Sequence, residues 1–495
     1  MATPLEQRQL DALREDADRF IAELDEEAYR HFAGLKDTYD LVPIYERHAE
    51  LTTLDTALAV GASVNGGRNV RELWRFACEG YLGNFVSQEE EKIAEAETQA
   101  VVVDGDSIPY RDLRPRIANT PERDVRTRLE EARNEATEAH NDLYIRKHQV
   151  VHQETERLGA ASYTELYRRF GYPLDDLAAQ CRAFLESTER LWEDAGNAYF
   201  RKAVGLGLGE LQRWDTTRAW RGVRWDAAFP KDRMVPALEA TLADLGVDLR
   251  AQRNVELDLE DRPNKSPRAF CAPIEVPDRV LLVIKPQGGP DDWRALFHEA
   301  GHTEHFAHTS PSLTVEERRL GDNAVTEGWA MLFEHLTIEP AWLERRLDFP
   351  RPHEFGAEGA TQVLWFLRRY CAKLIYELEF HEAADVTSMR PRYVELLSEA
   401  LKVTPSDTDY LADIDDGFYA SNYLRAWAFE AQLRSYLREK FGNAWFTRRD
   451  AGSLIRELWS EGQKPTADEI LQDVTGSGLE LEAAAERVRE ALAAA

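Results

Sequence analysis

The chain is short of several things, and each shortage excludes a class of protein. Only four of its 495 residues are cysteine: Cys78, Cys181, Cys271 and Cys371. They are widely scattered and form no C-x-x-C pair, so they read as buried free thiols in a reducing, cytoplasmic compartment. No run of about 20 uncharged apolar residues occurs, so no transmembrane helix is expected. The first twenty residues, MATPLEQRQLDALREDADRF, carry acids and no apolar core segment, unlike a signal peptide. Basic residues are in the minority: 61 Lys and Arg stand against 90 Asp and Glu, for a net charge of −29. A nucleic-acid partner, which needs basic patches for phosphates, is disfavoured. The acids are spread along the chain rather than gathered in a tail. They suit solubility, with long-range steering of cationic peptides as a further consequence.

With 43% hydrophobic residues the chain is globular, and 495 residues exceed one typical domain core. Most of it reads helical. Residues 5–33 alternate apolar and charged positions at helical spacing, and Thr120-Pro121-Glu122 reads as the start of a long charged helix running to Leu158. Val101 to Ile108 around Asp104-Gly105 reads as a hairpin. The polar stretch Arg262 to Ser266 suggests entry into a second lobe.

The most informative segment is Phe297-His298-Glu299-Ala300-Gly301-His302. An α-helix turns about 100° per residue, so His298 and His302, at i and i+4, share one face and can bind one zinc ion. Glu299 then points at the metal's water and can take its proton. The flanks agree. Val280 to Ile284 reads as a strand, Gly288-Gly289-Pro290 breaks the chain, and Asp291 or Asp292 can cap a helix ending near Thr309 to Pro311. Because the strand ends so close to the motif, its free edge is a candidate for pairing with an extended peptide.

Catalytic zinc takes three protein ligands plus water. Glu327 is the strongest third candidate, because it lies in the apolar helical run Val325–Glu334, where an unpaired charge is costly. Glu316, Glu317, Asp322, Glu334, His305 and His308 also qualify on spacing.

These residues resemble the thimet oligopeptidase and oligopeptidase F family of zinc peptidases. Its H-E-x-G-H-x-x-H pattern is matched by His298, Glu299, Gly301, His302 and His305. The family's upstream aspartate is matched by Asp292, its third ligand by Glu327 and its following glutamate by Glu334. Arg268 to Pro273 with Arg279 to Leu282 look like the family's paired strands, and Trp214-Asp215 like its W-D element. The resemblance covers roughly residues 205–445. In the Gly-Tyr-rich segment near the C-terminus the chain departs from the pattern. Asp413 stands where the family has His, and Phe418 and Asn422 replace tyrosines. Tyr423 and Arg425 look more like the related angiotensin-converting enzyme group.

The resemblance implies a mainly α, two-lobed body with a deep channel and a small antiparallel sheet beside the metal helix. An N-terminal lobe of residues 1–205 would wall the channel, and residues 206–495 would form the zinc-binding lobe. It further implies one zinc on His298, His302 and Glu327, with Glu299 as base and Tyr423 or Tyr419 assisting the oxyanion. The substrates would be short peptides. His305, Asp292, Glu334 and Arg425 are candidate supporting or substrate-binding residues. Two other readings are a metallocarboxypeptidase, with Arg425 holding the peptide's terminal carboxylate, and a non-enzymatic helical protein with a structural metal. A retained Glu299 argues against the last, since a structural site needs no base.

Overall fold

A computed structural model describes residues 3–65 and 67–494. The body is mainly α. Its principal helices and strands, in chain order, are α1 (Gln7–Phe32), α2 (Arg68–Thr98), β1 (Ala100–Val103), β2 (Asp106–Pro109), α3 (Arg123–Arg157), β3 (Val255–Asp258), β4 (Phe270–Glu275), β5 (Arg279–Val283), α4 (Pro290–His308), α5 (Asn323–Glu334), α6 (Pro352–Glu382) and α7 (Tyr419–Phe441). Shorter helices fill the intervals. One continuous apolar cluster runs from Leu10 to Val488, so core packing crosses position 205. No helix among the described residues is long and apolar enough to cross a membrane.

Local chemistry accounts for the elements. At the start of α1, Glu6 and Gln9 exchange side-chain and backbone bonds in a capping box. The hairpin turns at Asp104 and Gly105, both at positive φ (52° and 91°), which matches the right-handed twist of its strands. Helix α3 has few apolar anchors and docks instead by charge. Arg126 lies 2.7 Å from Asp215 of the W-D element, and Arg133 lies 2.6 Å from Asp409. It begins at Arg123, with Pro121 outside the helix rather than in its first turn.

The three-stranded sheet has the order β3-β5-β4, with β3 parallel and β4 antiparallel to β5, so it is mixed rather than antiparallel as expected. The central strand β5 therefore has both edges paired, which corrects the expectation that 280–284 offers a free edge to a peptide. Its near-continuous apolar run, buried from Val280 to Val283, is what a strand covered on both sides requires. The outer edges belong to β3 and β4; on β4 the Cys271 N–H points to Glu299 and the carbonyls of Pro273 and Ile274 accept from Arg319.

Candidate metal centre

Helix α4 carries the H-E-x-x-H motif. Gly289, at φ 89°, is its N-cap, and Pro290 opens the first turn, where a missing N–H costs nothing. Asp291 and Asp292 sit inside that turn rather than capping it. The Asp292 carboxylate folds back to accept from the Gly288 N–H at 2.8 Å and from Gln287, bracing the turn that leads from β5 into α4. Burial raises its pKa despite those bonds.

Helices α4 and α5 pack against each other and bring His298, His302 and Glu327 together, with one potential ligand atom from each lying within 4.8 Å of the others. Glu327 Oε2 is 3.5 Å from Nε2 of both imidazoles, hydrogen-bonded to neither and buried without any partner among the described residues. Tetrahedral zinc with ligand bonds of about 2.0–2.1 Å holds its ligands about 3.3 Å apart, so this spacing fits a shared cation. The donor set, two imidazoles and one carboxylate, is that of a catalytic zinc with an open position.

The outer nitrogen of each imidazole is also held. His298 Nδ1 lies 2.9 Å from Glu334 Oε2, and His302 Nδ1 lies 2.8 Å from Thr326 Oγ1. Both contacts present Nε2 to the centre. Arg294 approaches Glu334 at 3.4 Å and donates to Gln362. Burial works against charge on His298, but Glu327, Glu334 and Glu299 outweigh it and raise its pKa well above the ordinary histidine value. Burial likewise opposes the charge on Glu327, yet His302 and His298 hold its carboxyl far below the usual range. Glu334 is held near about 2 by His298 and Arg294 against burial.

Glu299 accepts from the Cys271 N–H at 2.8 Å, and burial raises its pKa. Tyr419 donates to Glu327 Oε1 at 2.7 Å. The Tyr423 ring lies 5.1 Å from those of Tyr419 and Tyr370, and its hydroxyl has no hydrogen-bond partner among the described residues. Burial and the nearby Glu327 raise its pKa.

Two sequence candidates stand apart from the cluster. Arg425 is spent on Asp322, with a two-pronged ion pair at 2.7 and 2.6 Å, and Asp322 also caps α5 through the Ala324 N–H. That guanidinium is not free for a peptide carboxylate. His305, one turn beyond His302 on α4, is fully buried and is not among the three gathered ligand atoms, and burial pulls its imidazole down to about 3. Asp413, at the position of the family's histidine, is a structural anion gripped by Arg369 and Tyr393. Thr326, Arg294, Tyr370 and the Cys271 N–H carried no periodic or motif signal, because each acts through a partner remote in sequence.

Two cavities reach toward the centre through tyrosines that contact it. One of about 330 Å³ is lined by Tyr45, Tyr163, Tyr167, Asn323 and Tyr419. Another of about 770 Å³ is lined by Arg114, Arg268, Gln362, Tyr370 and Asp409 among others.

No protein-family model and no curated protein sequence matches the chain. Solved structures do. An oligoendopeptidase F structure aligns with 100% of this chain and 97% of its own at TM-score 0.65 and 17% identity. Another, from Bacillus anthracis str. Ames, aligns with 99% of this chain and 86% of its own at TM-score 0.62 and 15% identity. Metallocarboxypeptidase 1 of Trypanosoma cruzi aligns with 97% and 99% at TM-score 0.57 and 14% identity. The chain has the fold of these oligopeptidase and metallocarboxypeptidase structures over 97–100% of its length.

Proposed function

We propose that the chain is a zinc-dependent oligopeptidase that hydrolyses internal bonds of short peptides. His298, His302 and Glu327 would hold one zinc ion, oriented by Glu334 and Thr326. When bound, zinc would supply Lewis acidity toward the scissile carbonyl and the attacking water. Glu299 takes the proton of that water and passes it to the leaving amine. The Cys271 N–H fixes one Glu299 oxygen, which leaves the other for the proton. The uncommitted Tyr423 hydroxyl donates to the developing oxyanion, while Tyr419 steadies Glu327.

The observation that supports this reading most strongly is the buried, unpartnered Glu327 Oε2 equidistant from two oriented imidazoles, with Glu299 alongside. A structural metal has no use for that base. One cavity lined by Tyr419, which donates to Glu327, and another lined by Tyr370, which packs on Tyr423, leave room for peptide near the centre, between walls drawn from residues 1–205 and 206–495. Four free cysteines, three of them buried, favour action in the cytoplasm.

Zinc-loaded protein incubated with an end-blocked peptide library tests the reading. Internal cleavage that is lost on chelation and restored by zinc is expected. Release of single C-terminal residues from unblocked peptides only would assign a carboxypeptidase instead. In the same assay, His302→Ala should strip most of the zinc, and full zinc content in that variant would sink the ligand assignment.

A further inference from the structure

The larger cavity has an unbalanced charge. Asp409 on its wall is the focus of three guanidinium groups: Arg133 at 2.6 Å, Arg213 at 3.5 Å and Arg114 at 3.6 Å. Glu130 relieves two of these, lying 2.6 Å from Arg213 and 3.7 Å from Arg133. Arg114, on the short helix Leu113–Asn119, has no other carboxylate within 4.0 Å among the described residues, and Arg268 has none at all. The remaining cations of the wall are satisfied: Arg221 by Asp226, Arg369 by Asp413 and Lys373 by Asp415. One wall acid, Asp291, is exposed and lies beyond 4.0 Å of every cation among the described residues, so it pairs with neither Arg114 nor Arg268. In a chain of net charge −29, one guanidinium without a carboxylate and a second that shares its only one with two other arginines leave this cavity wall open to an anionic ligand.

This cavity adjoins the metal centre by two routes. Gln362 on its wall accepts from Arg294, which approaches Glu334, which holds His298. Across the cavity, the Tyr370 ring lies 5.1 Å from that of Tyr423. Arg268 itself is three residues before Cys271, whose N–H binds Glu299. Three residues of extended chain span about 10 Å, the same reach as three residues of an extended peptide. Arg114 keeps 46% of its side chain exposed, so a ligand displaces water there rather than a protein partner.

We propose that Arg114 and Arg268 form a subsite for a carboxylate carried by the peptide substrate about three residues from the scissile bond, on an acidic side chain or at the C-terminus. The proposal rests on the peptidase reading. Guanidinium forks match carboxylates in two-pronged geometry, and such charge-assisted bonds are about twice as strong as neutral ones.

The test measures kcat/KM of the zinc-loaded full chain on matched quenched peptides. One arm exchanges Glu for Gln at successive positions, and the other exchanges a free C-terminus for an amide. In one arm the charged member should be preferred by at least about tenfold, mainly through KM. The double variant R114Q/R268Q should reduce that ratio below about twofold, Arg268→Lys should keep most of it, and Arg268→Glu should invert it. Arg190→Gln, at an exposed arginine outside the cavity, should keep the wild-type ratio. The arm that responds identifies the source of the carboxylate. No preference in either arm, or one unchanged in the double variant, overturns the subsite. Turnover of uncharged, amidated peptides reports the peptidase reading separately. If it is absent, calorimetry with the same peptide pairs still reads the charge preference, and equal affinities overturn the subsite.

Discussion

Gly301 lies so close to Ala330 that a methyl group on it would sit 2.5 Å from Ala330 Cα and 2.5 Å from the Trp329 carbonyl oxygen. The backbones of α4 and α5 meet there, and that approach brings Glu327 within 3.5 Å of both imidazoles. Gly301→Ala must push the helices apart. It should cost about 1–3 kcal/mol of stability, as overpacking does, and weaken zinc binding at least about tenfold. Urea unfolding and a competitive zinc titration check both, and unchanged zinc affinity would refute the link.

On the proposed function, Glu334 would act on the metal through His298. Glu334→Gln keeps a hydrogen-bond acceptor but removes the charge 2.9 Å from Nδ1. Zinc affinity should fall about 10- to 100-fold with the fold intact. A zinc titration that matches the parent protein would make Glu334 a bystander.

The two tyrosines should separate kinetically. Tyr423→Phe removes an uncommitted hydroxyl and should lower kcat about 10²- to 10³-fold with little change in KM, as loss of an oxyanion donor does. Tyr419→Phe removes the donor to Glu327 and should act more on zinc affinity than on kcat. If the two effects are exchanged, Tyr419 is the oxyanion donor.

Acid should destabilise the fold through buried neutral histidines. His148, 5.0 Å from the Phe380 ring and facing Lys147, Asp416, His152 and His381, is lowered to about 3, chiefly by burial. Burial also lowers His152 and His381. In the unfolded chain His148 takes a proton near its ordinary 6.5, before the folded protein can. Its contribution is therefore complete above pH 6.5 and is lost as pH falls toward 3, at up to about 1.4 kcal/mol per pH unit. His148→Gln should flatten the pH dependence of urea-unfolding stability between pH 6.5 and 4. A slope equal to that of the parent protein would contradict this.

The motif helix was legible because its information is local: i and i+4 put two imidazoles on one face, and Gly288-Gly289-Pro290 fixes the start. Glu327 was legible as a carboxylate in an apolar run. The strand edge was misread because β5 pairs with 255–258 as well as with 270–275, the partner the resemblance implied, and a five-residue strand does not announce which edges are covered. Arg425 was misread because its partner Asp322 is 103 residues away. The long helix α3 was legible from its charge pattern, but not its docking, which depends on Asp215 and Asp409.

The most direct test of the account is the rate at which Glu299→Gln, carrying one zinc per chain, cleaves an internally quenched peptide. The substitution keeps the side-chain shape and the contact with the Cys271 N–H while removing the base. The account predicts a loss of several orders of magnitude, beyond the roughly 10²–10⁴-fold of acid–base catalysis alone, because the same group orients the water. Near-parental turnover in the zinc-loaded variant would contradict it.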